Sequence, residues 1–185
     1  MCTPWCLDFA RNLSPAVIQG HRVIEIGARD VNGSCRAHML YHGVHGYLGT
    51  DITPGLGVDY VCDGLDLPER LGTEIAGVVV CTEVLEHVPE WQDLIESAWS
   101  LLQPGGHLLL TTRSLGFPYH EYPVDCWRFS VQNLYDVFCN QEIVALVSDP
   151  TQPGVGIVVR KTGPLRPRQY WVDCCSPVIP PGSTP

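Results

Sequence analysis

The sequence predicts an α/β protein, a three-layer sandwich in which helices cover both faces of a mainly parallel sheet. Two observations support this class. Patterns typical of strands alternate with patterns typical of helices along most of the chain. In addition, the run AGVVVCT at 76–82 is almost wholly apolar and rich in β-branched residues, which is typical of a strand covered on both faces.

Seven short apolar segments are expected to be strands. They are 22–27, 46–52, 58–63, 76–82, 107–112, 142–147 and 154–161. The spacing of apolar residues predicts helices at 5–13, 33–43 and 90–102, and a further helix begins after Ser130, a residue suited to an N-cap. The stretch at 113–129 is too rich in proline and aromatic residues to form a regular element.

Length and composition predict one domain. The chain has 185 residues, of which 45% are hydrophobic, and this is enough for one sizeable core but short for two. We therefore expect a single domain over residues 1–163. Prolines recur after Gly163, so residues 164–185 are expected to be an extended or disordered tail.

Charge and hydropathy exclude several classes of partner. The net charge of −9, with Lys161 as the one lysine, argues against nucleic acid, which needs clustered cations. No apolar run is long enough for a membrane span, and the N-terminus lacks the pattern of a secretory signal. We expect no membrane association and a cytoplasmic location. The nine cysteines form no C-x-x-C pair, which disfavours a zinc site of that type. The oligomeric state stays open.

Glycines and acids follow the predicted strands, where parallel sheets bind their ligands. Gly27 follows the first strand and Gly33 opens a helix, so the loop could approach a ligand closely, although a tight turn alone also explains them. Asp51 ends the second strand, where a carboxylate can accept two ribose hydroxyls. Asp63 ends the third, where it can accept an exocyclic amine. The G-x-G-x-x-G fingerprint is absent. These features favour an adenosine-bearing ligand that is neutral or cationic over a dinucleotide.

Five segments occur in an order and spacing that are informative together. They are VIEIGARDVNG, LGTDI, VCDGLDLP, VVVCTEVLEHVP and LLQPGGHLLLTT. In these segments the chain resembles class I S-adenosylmethionine-dependent methyltransferases of the small "type 11" group, over roughly Arg22 to Lys161. The resemblance implies a Rossmann-like sheet of seven strands with the last one antiparallel, and S-adenosylmethionine as cofactor.

The resemblance also assigns cofactor-binding residues. It places Gly27 and its neighbours at the methionine part with Glu25 beneath, Asp51 at the ribose, Ile52 on the adenine and Asp63 at its amine. The full expected set is Glu25, Gly27, Arg29, Asn32, Gly33, Asp51, Ile52, Asp63, Gly64 and Glu83.

The loop GFPYHEYPVDCWRF is expected to receive the methyl acceptor, because it follows the fifth strand. The residues expected to handle the acceptor's proton are His120, His87 and Tyr122. An alternative role for part of this loop is purely structural. In that case Trp127 and Phe129 anchor the following helix, and Asp125 pairs with Arg128.

The turn EVLEH indicates a second way to activate the acceptor. Its acids and histidine resemble the turn that holds Mg²⁺ in ubiquinone-pathway O-methyltransferases, and small-RNA 2′-O-methyltransferases add a second histidine from the loop after strand five. The expected ligands are Glu83, Glu86, His87 and His120. Such a set would admit Mg²⁺, Mn²⁺, Co²⁺ or Zn²⁺. The same turn also occurs in relatives without a metal, where a histidine would act as a base instead.

The expected function is therefore S-adenosylmethionine-dependent methyl transfer to a small molecule such as a sugar, phenol or amine, with or without a metal. The sequence leaves open which atom is methylated. The alternative function is a non-catalytic module that binds S-adenosylmethionine or adenosine, or a regulatory partner subunit. A nicotinamide dehydrogenase is a weaker third possibility, because its fingerprint is missing.

Overall fold

The computed structural model describes residues 3–121, 123–171 and 175–180, and its centre is a seven-stranded sheet. The strands of this sheet are β1 (Arg22–Ile26), β2 (Gly46–Asp51), β3 (Tyr60–Val61), β4 (Ala76–Thr82), β5 (Leu102–Arg113), β7 (Glu142–Ser148) and β8 (Gly154–Arg160). Their spatial order is β3-β2-β1-β4-β5-β8-β7. A separate two-stranded sheet consists of β6 (Trp127–Arg128) and β9 (Ser176–Pro177).

The strand directions confirm the predicted sheet. Neighbouring strands from β3 to β5 are parallel, whereas β8 is antiparallel to both β5 and β7. The connection from β7 to β8 spans only residues 149–153, and a parallel crossover needs a dozen residues or more. The last strand therefore turns back directly beside its predecessor.

Six α-helices complete the described part of the fold. They are α1 (Pro4–Arg11), α2 (Pro15–Ile18), α3 (Arg36–Tyr41), α4 (Leu67–Leu71), α5 (Trp91–Leu101) and α6 (Val131–Phe138). The predicted N-cap at Ser130 is confirmed, since Ser130 and Asn133 form a reciprocal capping box. Among the described residues, no helix combines the length and apolar character needed to cross a membrane.

Several element boundaries differ from the prediction. The third strand is short because the Asp59 side chain, rather than a longer backbone ladder, accepts the Gly49 N–H at 2.8 Å. β5 begins at Leu102 instead of 107, since Leu102 already pairs with Ala76. The helices α2 and α4 were not predicted; both are too short to show a helical period and have a proline in the first turn.

Two apolar layers enclose the sheet. All seven residues of β4 are buried, and successive residues face opposite layers. Val79 packs with one cluster that includes Leu94 of α5, while Val78 packs with the other, which includes Met39 of α3. This confirms that helices cover the central strands on both faces, and it leaves the carboxyl ends of those strands as the place for a site.

The proline-rich tail packs against the domain wherever the structure describes it. Trp171 is 2% exposed and stacks on Trp91. Strand β9 pairs with β6. Over 164–171 and 175–180 some aromatic and backbone groups of the segment therefore have partners on the domain, contacts that the prolines did not indicate. Residues 172–174 and 181–185 lie outside the described residues, and the domain boundaries stay a prediction.

Glu25 is an acid within the buried strand β1. It is 4% exposed, and its carboxylate accepts hydrogen bonds from Tyr47 Oη at 2.7 Å and Cys35 Sγ at 3.7 Å. Burial raises the pKa of Glu25 from 4.5 to about 7, and the hydrogen bonds of Tyr47 and Cys35 oppose this rise only in part. The folded state thus favours the protonated acid.

This shift predicts a pH-dependent loss of stability. Because the pKa of Glu25 is higher in the folded state, its contribution is fully present below pH 4.5 and is lost as the pH rises to about 7. The loss amounts to about 3 kcal/mol. In Glu25→Gln, chemical denaturation from pH 4.5 to 8 should lack this decrease in the free energy of unfolding. Glu69→Gln removes an exposed carboxylate of α4 as the control. Parallel curves for the wild type and Glu25→Gln would contradict the prediction.

Candidate active site

A cavity of about 540 Å³ opens where β1, β2, β3 and β4 end. Of the predicted cofactor residues, those that line it are Gly27, Arg29, Asp51, Ile52, Asp63, Gly64 and Glu83. Glu25, Asn32 and Gly33 do not line it: Glu25 is buried in β1, and Asn32 is exposed on the loop before α3. Most of the predicted cofactor residues therefore lie together in one cavity, as expected for residues that follow the carboxyl ends of parallel strands.

Position 27 requires glycine, because the turns after β1 and β4 approach each other closely there. The φ of Gly27 is +77°, and a Cβ at this position would lie 2.1 Å from Val84 Cγ2. Val84 is held there by an unusual neighbour, since Glu83 has a left-handed φ of 57°. Few residues other than glycine adopt this conformation, and it is enriched at functional sites. The turns after β1 and β4 are thus locked together at the floor of the cavity.

The two strand-end acids are held in fixed orientations. Asp51 Oδ1 accepts hydrogen bonds from the backbone N–H and Oγ1 of Thr53, both at 2.9 Å, and Oδ2 accepts the Arg29 N–H at 3.3 Å. Asp63 Oδ1 accepts the Leu65 N–H at 3.0 Å. Between these acids Ile52 is 54% exposed and offers an apolar surface to the cavity.

Glu83 forms a buried ion pair instead of facing the other acid of its turn. Its carboxylate contacts the Arg113 guanidinium and accepts a hydrogen bond from Thr111 Oγ1 at 2.9 Å. The Arg113 side chain is 1% exposed, and its guanidinium also lies 4.2 Å from the centre of the Phe117 ring. The Glu83 carboxylate therefore links the end of β4 to β5. It does not lie with the other three predicted metal ligands, Glu86, His87 and His120.

Three other predicted residues do converge beside the cavity. Glu86 Oε1 lies 3.8 Å from His87 Nε2 and 3.8 Å from His120 Nε2, and the two rings are 4.8 Å apart. One ligand atom from each residue lies within 4.8 Å of the others. We call these residues the Glu–His–His triad. Tyr122, the remaining predicted catalytic residue, lies outside the described residues.

Hydrogen bonding fixes the tautomer of His87. Its Nδ1 is 2.5 Å from the Val124 carbonyl oxygen, which can only accept, so this nitrogen carries the proton. In its neutral form His87 therefore presents an unprotonated Nε2 to Glu86. This is the usual arrangement in which an outer carboxylate or carbonyl orients a metal-binding or basic histidine. His120 Nδ1 lies 3.0 Å from Asp125 Oδ2, close enough for an ion pair when the ring is protonated, although its geometry is not that of a hydrogen bond.

The acids around the two rings stay ionised. Burial opposes the charge of Glu86, but His120 and His87 outweigh it and lower the pKa of Glu86. Burial likewise opposes the charge of Asp125, but Arg128 and then His120 lower its pKa. Glu86 is fully buried, and among the described residues its Oε1 and the Nε2 of His87 have no hydrogen-bond partner. Two buried polar atoms thus face a space that a cation or a polar ligand can occupy.

The loop that carries His120 is held by Arg128. Its guanidinium donates to Asp125 Oδ2 at 2.7 Å and to the Pro118 carbonyl oxygen at 3.2 Å. This confirms the predicted Asp125–Arg128 pair. The sequence did not reveal that Asp125 also orients His120, although both lie in the same polar loop. The sequence did not indicate that Arg113 pairs with Glu83 or that the Val124 carbonyl binds His87. Both contacts join segments that are distant in the chain.

Comparison with known proteins identifies the family. A family model described as a methyltransferase domain matches residues 4–145. The ubiquinone biosynthesis O-methyltransferase of Pectobacterium atrosepticum is 36% identical over 58 residues, 31% of this chain and 24% of that protein. That of Vibrio atlanticus is 30% identical over 70 residues, 38% of this chain and 30% of that protein. The matches thus span a third or less of these curated relatives.

Solved structures show the same fold. A methyltransferase from Mesorhizobium loti, dependent on S-adenosylmethionine, has a TM-score of 0.62 at 17% identity, covering 82% of this chain and 95% of its own. The 1,6-didemethyltoxoflavin-N1-methyltransferase of Burkholderia thailandensis, with bound 1,6-didemethyltoxoflavin and S-adenosylhomocysteine, has a TM-score of 0.62 at 16% identity, covering 83% and 79%. Because the family model covers most of the sequence and the sheet has the expected order, the chain belongs to the class I S-adenosylmethionine-dependent methyltransferases.

Proposed function

We propose that this protein transfers a methyl group from S-adenosylmethionine to an oxygen or nitrogen atom of a small molecule. The observation that carries the proposal is the position of the Glu–His–His triad at the cofactor cavity. His87 lines the same cavity as Asp51 and Asp63. Through His87, groups suited to an acceptor's proton adjoin the cavity that holds groups suited to an adenosine, and this supports catalysis over simple cofactor binding.

The residues of the cavity fit S-adenosylmethionine. Asp51 would accept the ribose hydroxyls, Asp63 the adenine amine, and Ile52 would pack on the adenine ring. The acids Asp51 and Asp63 suit a ligand with a positive sulfonium better than one with phosphates. When bound, the cofactor supplies a methyl group on that sulfonium, so the protein's contribution is to position the acceptor and to remove its proton.

The triad can remove that proton. The Nε2 of His120 can accept it, and the ionised carboxylates of Asp125 and Glu86 would stabilise the resulting imidazolium. Both carboxylates lie against the ring, at 3.0 Å from Nδ1 and 3.8 Å from Nε2. The part of the cavity wall next to His87, formed by Val88, Pro89 and Val124, is apolar and would limit the access of water to the acceptor.

The triad also fits a divalent cation, and we propose in addition that it binds one. At 3.8 Å the Glu86 contacts to His87 and His120 are too long for hydrogen bonds, and a base alone leaves Glu86 Oε1 and His87 Nε2 unsatisfied. A cation held by all three residues accounts for both atoms. Two imidazoles and one carboxylate favour Zn²⁺, Mn²⁺ or Co²⁺ over Mg²⁺. When bound, the ion would act as a Lewis acid toward a hydroxyl of the acceptor.

A small neutral or cationic acceptor suits the site better than nucleic acid. The cavity of about 540 Å³ lies within the range of small-molecule sites. The net charge of the chain is −9, and the acceptor side contains the acids Glu86 and Glu90. A polyanion would be repelled, and no cluster of free cations offsets this within the part of the chain described around the cavity.

Cofactor binding is tested by replacing Asp51. Asp51→Ala should weaken binding of S-adenosylmethionine and S-adenosylhomocysteine by roughly 10- to 100-fold, because hydrogen bonds to a charged acceptor are lost. Isothermal titration calorimetry measures both ligands, and circular dichroism verifies the fold. Asp66→Ala removes an exposed acid outside the cavity and should bind normally. A folded wild type that binds neither ligand would refute the proposal.

The role of the triad is tested with His120→Ala and metal removal. The variant should lose roughly 100- to 10,000-fold in methyl transfer while retaining S-adenosylhomocysteine binding. If a cation is used, chelation should abolish activity, and Zn²⁺, Mn²⁺ or Co²⁺ should restore it. Visible absorption of Co²⁺ bound to the wild type, and its loss in His120→Ala, reports the ion without relying on activity. Full activity after exhaustive EDTA treatment would remove the metal and leave His120 as a base.

A further inference from the structure

We propose that the C-terminal strap, defined as residues 168–171 and 175–178, positions the Glu–His–His triad. This inference rests on the proposed function of the triad but concerns a different part of the chain. The strap lies beyond residues 4–145, the region matched by the methyltransferase family model. Its described residues contact segments that lie next to those carrying His120 and Glu86. Two series of contacts connect the strap to these residues, one to each.

The first part of the strap is anchored on α5. The Arg168 guanidinium donates to Glu96 at 2.5 and 2.6 Å and also contacts Asp93. These groups are nearly half exposed, so their ion pairs add little stability on their own. The principal anchor is Trp171, which is 2% exposed and stacks on Trp91 at 5.8 Å between ring centres. Trp91 begins α5, four residues after His87 in the chain.

The second part of the strap pairs with the active-site loop. In β9, Ser176 lies opposite Arg128 and Pro177 lies opposite Trp127. The pairing continues beyond the strand, because the Val178 N–H donates to the Cys126 carbonyl oxygen at 2.9 Å. The strap therefore adds a strand to the segment that leads out of the His120 loop.

One line of contacts runs from the strap to Glu86. Cys126, which accepts from Val178, donates its own N–H to the Glu86 carbonyl oxygen at 2.8 Å. Its neighbour Trp127 donates Nε1–H to the Val88 carbonyl oxygen at 3.1 Å. These bonds hold the middle and the C-terminal end of the short 3₁₀ helix Leu85–His87 against β6 and the residue before it.

The other line runs from the strap to His120. Arg128, opposite Ser176, holds Asp125 by an ion pair. Asp125 Oδ2 accepts the backbone N–H of His120 at 2.8 Å and lies 3.0 Å from its Nδ1. A shift of β6 would thus change the orientation of the His120 ring. Because the two lines meet at Nε2 of His120 and Oε1 of Glu86, the strap sets the geometry of the reacting groups without touching them.

The test removes one backbone donor that joins the strap to the loop. Val178→Pro deletes the N–H that binds Cys126, and proline introduces no other polar change. Ile179→Pro is the matched control, since Ile179 is 63% exposed and its N–H donates no hydrogen bond to another described residue. A second pair, Trp171→Ala and the conservative Trp171→Phe, tests the α5 anchor independently.

The first readout is the set of imidazole NMR chemical shifts of His87 and His120, assigned by their alanine variants and recorded at one pH without metal. Val178→Pro and Trp171→Ala should change these chemical shifts, whereas Ile179→Pro and Trp171→Phe should resemble the wild type. The second readout is methyl transfer, where kcat should fall by about 10- to 100-fold, as expected for a displacement of about 1 Å, with the KM for S-adenosylmethionine unchanged.

A folded Val178→Pro whose histidine chemical shifts match the wild type would overturn the proposal. So would a loss of cofactor affinity equal to the loss in kcat, because it would indicate general damage. If the wild type shows no methyl transfer, the proposed function fails, but the NMR chemical shifts still decide whether the strap positions the two rings.

Discussion

The geometry of the site depends on the buried ion pair between Glu83 and Arg113. Burying two charges is costly unless both are well bonded, and here Thr111 and the Phe117 ring supply further contacts. The pair joins the ends of β4 and β5 and accompanies the left-handed turn at Glu83. That turn places Val84 against Gly27, and it directs the chain into the 3₁₀ helix. One interaction therefore sets the floor of the cofactor cavity and the position of the triad.

The two halves of the site are built differently. The cofactor half consists of strand ends, whose positions follow from the rigid parallel sheet. The acceptor half consists of the loop that carries His120, which has little regular structure and is held by Arg128, by Asp125 and by β9. This division is suited to the methyltransferase family, because a common cofactor can be combined with different acceptors when only the second half changes.

The sequence predicted the sheet well, because its strands follow from short-range patterns. That Asp51 and Asp63 line one cavity follows from one rule, that the carboxyl ends of parallel strands meet at one edge, whereas their contacts to a cofactor stay a prediction. Contacts between distant segments could not be predicted in this way. Nothing around Glu83 indicates that its carboxylate turns to Arg113, and the prolines near Trp171 gave no sign of its stacking on Trp91. The convergence of the triad was anticipated only through resemblance to known enzymes.

The cavity at the strand ends is proposed to hold the methyl donor beside the triad. A crystal structure of the full chain with S-adenosylhomocysteine would show whether it does. We expect the ribose to contact Asp51, the adenine to lie between Ile52 and Asp63, and the sulfur atom to face His87 and His120. A product molecule bound elsewhere, or bound with its sulfur directed away from both imidazoles, would contradict the proposal.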